Sequence, residues 1–342
     1  MAIKIKLYTE PQILLYPNTH TFLLFPLLGN YLKLEGDPDA DRFDDFVNSY
    51  SDYIDFVKDP NECDFFLLPF GYSFETIYQI PIQSFLAKAE NYHKKILLFF
   101  NSDDDTIIDI KNTIVFRTSF YESTRSKNVF ALPGWSVDFA KYFPNQKVIY
   151  ISKDVKPTIS YCGYIDYLHR SFVQTIKAFL FNRKLDNDSN ARLLRGLACR
   201  KLLKNKKIKV QFLFRDGFWA SGIADKNKAR LDYAQNMIDS MYAIVVRGAG
   251  NFSYRLYEVL SCGRIPIFIN TDSVLPFDYL IDWKKHMVWI EEKDASKIDS
   301  IVLNFHKNKS DVQLKGIQES NRRLYVEYLS PNGFFKNFHL IL

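Results

Sequence analysis

Ala243–Ile269 reads AIVVRGAGNFSYRLYEVLSCGRIPIFI. An apolar run, Ala243–Val246, stops at Arg247 and a loop of small residues. A pattern with helical spacing follows, and a second apolar run closes the stretch at Ile265–Ile269. Strand, loop, helix and strand in that order belong to an α/β sheet protein. Reading Ala243–Val246 as a buried strand puts the loop at the carboxyl edge of a sheet. Gly248 and Gly250 can then take positive φ and let a ligand approach the backbone. Asn251 and Ser253 are both suited to cap the helix. The helix start points free N–H groups and a positive dipole end outward, an arrangement that suits a diphosphate. Arg247 and Arg255 are placed to add forked cation contacts. Arg255 and Glu258 share a helix face, and Leu256, Val259 and Leu260 take the buried one. Glu258, lying toward the edge of the site, can accept two hydrogen bonds from a vicinal diol such as that of ribose.

A plainer reading stands beside this one. A glycine-containing loop before a helix is often only a tight turn, and an exposed Arg255–Glu258 pair would contribute well under ~1 kcal/mol. The stretch is not G-x-x-x-x-G-K-[ST] and fits G-x-G-x-x-G poorly, which counts against an ATPase or a dinucleotide reductase.

Working outward, Ile5 and Leu7 alternate with Lys4 and Lys6 as in a half-buried strand. Asp64–Phe70, Lys94–Phe100, Asn112–Ser119 and Lys127–Pro133 read as further strands. A helix is expected over Arg42–Val57, with Phe43, Phe46, Val47, Tyr50, Ile54 and Val57 at helical spacing. A polar run ending at Pro157 marks a linker. A second set follows: strands at Thr158–Tyr164, Lys209–Asp216 and Met287–Glu292, and helices at Tyr167–Leu180, Ala229–Tyr242 and Ile317–Leu329. The Ala229–Tyr242 helix is expected to bury Leu231, Ala234, Ile238 and Met241. The division expected is 1–152, 157–316 and a tail, 317–342, that crosses back to the first domain.

At 342 residues, two domains are the natural prior. Hydrophobic residues at 47% and charged residues at 25% describe an ordinary globular protein. Aromatics reach 16%, which points to a well-filled core or to sugar-stacking or membrane-facing surface. The net charge of +6 is local: 183–209 holds ten Lys/Arg against two Asp. Cys63, Cys162, Cys199 and Cys262 form no C-x-x-C pair and have no histidine at metal-ligand spacing, so reduced thiols are expected rather than zinc or disulfides. MAIKIKLYTE lacks the apolar core of a signal peptide, and no run of ~18 apolar residues occurs, so a cytoplasmic protein is expected.

The most specific signal is a string of motifs in Lys228–Trp283. They are Arg230, Tyr233, Ser240, Arg247-Gly248, Ser253-x-Arg255-x-x-Glu258, Gly263-x-Ile265-Pro266, Leu275-Pro276-Phe277 and Asp282-Trp283. In this order they closely resemble the exostosin glycosyltransferases, family 47. The N-terminal half matches more loosely, through FFLLPF and its strand–helix rhythm. The resemblance implies a GT-B fold: α/β, two Rossmann-like domains facing a central cleft. It implies an inverting transfer from a nucleotide-diphosphate sugar, UDP- or GDP-linked, to a hydroxyl of a glycan or lipid-linked acceptor. The setting expected is cell-surface polysaccharide or lipopolysaccharide synthesis. The donor would bind the C-terminal domain and the acceptor the N-terminal one. No metal or other cofactor is implied, since the helix start and basic side chains can stabilise the leaving diphosphate. Carried over, Glu258 would hold the donor ribose. Arg247, Gly250, Asn251, Ser253 and Arg255 would surround the diphosphate and sugar, with Arg230 and Asp272 beside them. Arg170 and Arg215 are further donor-side cations or structural ion-pair members. A non-catalytic exostosin-like partner of another transferase is the alternative.

An inverting transfer needs a base on the acceptor side. The turn Asn101–Asp105 follows an apolar strand, so Asp103 and Asp105 are candidates, and crowding of three carboxylates is expected to raise a pKa there. A solvated acidic turn is the plainer reading. Glu75, after PFGYSF, and Asp166 are the other candidates. The basic segment mixes Leu193, Leu194, Leu197 and Leu202 with Arg192, Arg195, Arg200, Lys201 and Lys204. It reads either as a helix docked on its own sheet or as a peripheral contact with an anionic membrane at its inner face. No nucleic-acid motif accompanies the charge.

Overall fold

Short apolar runs bounded by turn residues become two all-parallel sheets. The computed structural model describes residues 4–10, 20–28, 40–165, 187–217, 223 and 225–342. The first sheet holds β1 (Ile5–Tyr8), β2 (Ile54–Phe56), β3 (Phe65–Leu67), β4 (Lys95–Phe100), β5 (Thr113–Arg117) and β6 (Val129–Ala131). Their order is β2-β1-β3-β4-β5-β6, every pairing parallel. The second holds β7 (Thr158–Tyr164), β8 (Lys209–Arg215), β9 (Tyr242–Val245), β10 (Ile265–Asn270) and β11 (Val288–Glu291). It runs β11-β10-β9-β7-β8, again parallel throughout. Each sheet steps outward from its first strand and then reverses, the doubly wound pattern that creates a crevice beside that strand. Strands buried on both faces explain why LLFF and AIVV are continuous apolar runs rather than alternating ones.

The chain divides into two compact units, Met1–Val137 with Val274–Asp278 and Glu327–Leu342, and Asp138–Ser273 with Tyr279–Val326. The expected linker at 152–157 therefore lies inside the second unit. Residues before it are fixed there: Arg322 pairs with both oxygens of Asp138, and Ile151 exchanges two hydrogen bonds with the Gln318 amide.

In the first unit α1 (Asp44–Ser49) lies between β1 and β2, α2 (Thr76–Asn91) follows β3, and α8 (Pro331–Lys336) returns from the tail. The expected 42–57 helix ends at Ser49. Ile54 and Phe56 pair with β1 as β2, because Ile54-Asp55-Phe56 also has strand alternation and the sheet edge takes it. Much of the phenylalanine forms a core. Phe338 lies 4.7 Å from Phe116 with the rings tilted, Phe335 lies 4.5 Å from Phe46, and Trp135 Nε1 donates to Leu329 O at 3.0 Å.

In the second unit α3 (Asn187–Leu203), α4 (Lys226–Ile238), α5 (Tyr254–Ser261), α6 (Ile298–Lys307) and α7 (Asp311–Leu324) accompany the sheet. The basic helix α3 buries Ala191, Leu194, Ala198, Cys199 and Leu202, and exposes Leu197, Leu203, Lys201 and Lys204. Its apolar stripe is docked on its own core, as in the plainer reading. Helix α4 buries Ala229, Ala234 and Met237, whereas Leu231 is 57% exposed. Of the expected stripe, Ala234 and Met241 are buried and Leu231 is not, and Met241 lies beyond the end of the helix at Ile238. α4 is tied down instead on the side of Tyr233 and Met237. The expected tail helix begins earlier, at Asp311, where Ser310 and Gln313 form a capping box. No helix among the described residues is long and apolar enough to cross a membrane. The expected helix at Tyr167–Leu180, with Asp166 and Arg170, lies outside the described residues.

Candidate functional site

The β9–α5–β10 stretch has the predicted order. Helix α5 ends in a Schellman motif: Arg264 N–H bonds to Val259 O and Gly263 N–H to Leu260 O, both at 2.9 Å. Gly263 supplies the required left-handed residue, φ 63°. The Arg264 guanidinium, 1% exposed, locks this turn onto the Ile238 and Cys262 carbonyls. Pro266 is tolerated in a central strand because the β11 ladder begins only at Ile267.

The loop before the helix differs from expectation in detail. Neither Gly248 nor Gly250 is among the positive-φ glycines, Gly163 and Gly263. The loop closes instead by Gly248 N–H to Phe252 O at 2.8 Å, and Arg247 Nη2 caps Ala249 O at 2.8 Å. Asn251 is not the helix cap. It is 1% exposed and joins the two loops: its Oδ1 accepts from Thr271 at 2.7 Å and its Nδ2 donates to Asp272 O at 3.2 Å. A buried amide satisfied by a neighbouring loop is unavailable to the helix. Ser253 is the N-cap, in extended conformation, with no side-chain capping bond. Asp272 is exposed and left-handed, φ 60°, at the end of β10.

Behind the loop lies a buried polar cluster. Glu258 is 5% exposed. It accepts a short hydrogen bond from the Tyr233 hydroxyl and an ion pair from Arg230 Nη1 at 3.5 Å. Arg255 Nε donates to the same Tyr233 oxygen at 3.3 Å, so the phenol stands between Arg255 and Glu258. The two are therefore not an exposed helix-face pair, and Glu258 is not open at an edge, because Tyr233 and Arg230 from α4 cover it. Arg255 Nη2 donates to Cys162 O at the end of β7, and its guanidinium lies 4.6 Å from the Tyr161 ring centre. Gly163 makes that reach possible: a Cβ there would meet Arg255 Nη2 at 3.0 Å. Arg230 lies over the Phe139 ring and donates to Tyr142 at 3.3 Å. Burial, then the Glu258 charge, pushes the Tyr233 hydroxyl far above the usual tyrosine range, so it stays a donor. Arg215, at the end of β8, donates to Ala229 O at 3.2 Å and so holds α4 to the sheet. Arg255 thus stands at the crevice between β7 and β9, where the strand order reverses. Tyr233 was legible only as a motif position. Its spacing of three from Arg230 on one helix was the available signal.

The acceptor-side candidates lie at the carboxyl end of the first sheet. A cavity of about 530 Å³ there is lined by His20, Thr21, Phe22, Gly71–Glu75, Phe99–Ser102 and Asp104. It includes Glu75 but neither Asp103 nor Asp105. The acidic turn does not raise a carboxyl pKa at Asp104. Hydrogen bonds from Thr106 hold that carboxyl below the usual range. Buried Arg117 also donates to the Asp104 and Thr106 carbonyls at 2.6 and 2.8 Å, which steadies the turn.

Two tandem, doubly wound parallel sheets define the two-domain α/β class to which GT-B glycosyltransferases belong. Residues 176–305 match the Exostosin GT47 domain, and the chain is exostosin-like over that segment. It is 30% identical over 100 residues to an Exostosin-1 homolog of Caenorhabditis elegans, covering 29% of this chain and 25% of that protein. It is 29% identical over 97 residues to human (Homo sapiens) Exostosin-2, covering 28% and 13%. The chain thus spans a quarter or less of these relatives. Among solved structures, WaaG, a glycosyltransferase involved in lipopolysaccharide biosynthesis, aligns over 98% of this chain and 99% of its own at 9% identity and TM-score 0.39. TarM aligns over 72% and 50% at 11% identity and TM-score 0.38. The fold assignment rests on strand order rather than on these alignments.

Proposed function

We propose that this protein is an inverting glycosyltransferase that moves a sugar from a UDP- or GDP-linked donor to a hydroxyl of a glycan or lipid-linked acceptor. The observation that carries the reading is the cluster Arg230–Glu258–Tyr233–Arg255 behind the β9 loop, on the segment that matches the exostosin domain. In this reading the diphosphate rests at the start of α5, within reach of Arg247, Gly250, Asn251, Ser253 and Arg255. Fixed cationic groups and helix N–H groups stabilise the charge that develops as the sugar leaves, without a metal. Glu258 takes the ribose diol in competition with Tyr233, and Asp272 and Arg215 border the sugar. Arg170 is kept as a donor-side cation on its position in the sequence alone. Glu75 removes the acceptor proton, with Asp103 and Asp105 as the weaker candidates.

Titration of the full chain with UDP-, GDP- and other nucleotide-linked sugars tests this. Binding with slow hydrolysis of the donor is expected. A folded protein that binds none of them would overturn the reading and favour the non-catalytic alternative. The setting proposed is cell-surface polysaccharide or lipopolysaccharide assembly at the cytoplasmic face of a membrane. The exposed Lys201 and Lys204 of α3 support contact with anionic lipid. Sedimentation with anionic vesicles at low salt should weaken when Arg200, Lys201 and Lys204 become Glu, and no sedimentation of the wild type would end the membrane part.

A further inference from the structure

The cavity of the first unit carries information about the acceptor that the donor segment does not. It opens at the carboxyl ends of β3 and β4, the edge where ligands of parallel sheets bind. Its volume, about 530 Å³, falls in the range of small-molecule sites, ~300–1,000 Å³.

Two kinds of surface line it. One is aromatic. Tyr72, Phe74 and Phe100 meet edge to face, with ring centres 5.1, 5.6 and 6.0 Å apart. Phe100 is 6% exposed and forms the floor, whereas Phe74 is 41% exposed, in a molecule that buries most of its large rings. An exposed ring held by two neighbours is a rigid platform, and a flat apolar face at a cavity is where the C–H face of a sugar ring stacks. The other surface is polar and accepts hydrogen bonds: Asn101, Ser102, Asp104 and Glu75. Thr21 also lines the cavity. It is 3% exposed, and its hydroxyl has no hydrogen-bond partner among the described residues.

The charge of the lining discriminates among sugars. Among the described residues, two carboxylates and no lysine or arginine line the cavity. The Arg117 guanidinium lies behind Phe100, 5.0 Å from its ring centre, and is engaged with two carbonyl oxygens. A uronate or a phosphorylated sugar would set its anion beside Glu75 and Asp104, with no lysine or arginine among the described lining residues to meet it, which disfavours binding. An uncharged hydroxyl donates to those same carboxylates in a charge-assisted bond.

We propose that this cavity binds the terminal sugar of the acceptor and selects an uncharged one, stacked on Phe74 with its hydroxyls toward Glu75 and Asp104. This rests on the transferase reading for the word acceptor, but not for the binding itself.

The test uses the full chain at pH 8. Calorimetric or NMR titration compares chitobiose, which is uncharged, with a glucuronyl-N-acetylglucosamine disaccharide of similar size. UDP and GDP are titrated in parallel. Chitobiose should bind at least tenfold more tightly than the uronate. Phe74→Ala should weaken it by at least fivefold and leave nucleotide affinity unchanged. Equal or tighter binding of the uronate overturns the selectivity, and chitobiose affinity unmoved in Phe74→Ala overturns the site. Sugar binding lost in Phe74→Ala, with no nucleotide bound by either form, would uphold the cavity and refute the transferase reading.

Discussion

Replacing Glu258 by alanine should destabilise the second unit before it says anything about catalysis. Glu258 is 5% exposed and the Arg230 side chain 12%, so their 3.5 Å pair is shielded from water. Removing the carboxylate strands one guanidinium and the Tyr233 donor in the interior. Breaking a buried pair this way costs roughly 3–5 kcal/mol. Arg230 keeps Tyr142 and the Phe139 ring, which places the loss near the lower bound, about 3 kcal/mol. For a unit of this size, about 2–4 °C of Tm per kcal/mol gives a fall of roughly 6–12 °C. Glu258→Gln keeps an acceptor for Tyr233 and should lose only about 1–2 kcal/mol. Circular dichroism or calorimetric melts of the full chain measure both. A Glu258→Ala melt within a degree or two of wild type would falsify the view that this carboxylate holds the cluster together. Loss of activity in that variant is consequently weak support for a ribose role, and the glutamine variant is the informative one.

Two other outcomes follow from the geometry. Gly263→Ala puts a Cβ 3.0 Å from Tyr150 Cε1 and 3.1 Å from Gln318 O at a left-handed residue, so it should cost about 2–4 kcal/mol by urea unfolding, and a neutral effect would contradict the Schellman turn. Burial lowers the His306 pKa, and its ring bonds to Tyr242 and to Asp154 O in the neutral form. The unfolded chain therefore takes up this proton first on acidification, so the contribution to stability is present above about pH 6.5 and lost as pH falls below it. His306→Gln should flatten that part of the stability–pH curve, and an unchanged curve would refute the assignment.

The strands were legible because strands buried on both faces leave unbroken apolar runs, and AIVVRGAGNFSYRLYEVLSCGRIPIFI gave strand, loop, helix and strand in order. Where helical and strand periodicity coincide, as at Ile54–Phe56, the pairing partner decides, and that partner lies some fifty residues away in β1. Leu231 was misplaced on helix α4, whose inward side is shared by Tyr233 serving polar partners, which an apolar count ignores. The site was legible in its residue types but not in its wiring. Asn251 suits a cap by composition, yet the β10 loop claims its amide, and no local rule sees that loop. Likewise the acidic turn looked like a raised carboxyl until Thr106 supplied donors to Asp104.

The central claim is that Glu258 and its cluster hold the ribose of a nucleotide donor. Affinities for the tighter-binding of UDP and GDP, and for its 2′-deoxy counterpart, should be measured in wild type and in Glu258→Gln whose melt shows it folded. The account predicts a wild-type preference for the ribonucleotide of roughly tenfold or more, as one charge-assisted hydrogen bond provides, shrinking to about threefold or less in the variant. A preference that survives unchanged in Glu258→Gln would contradict it.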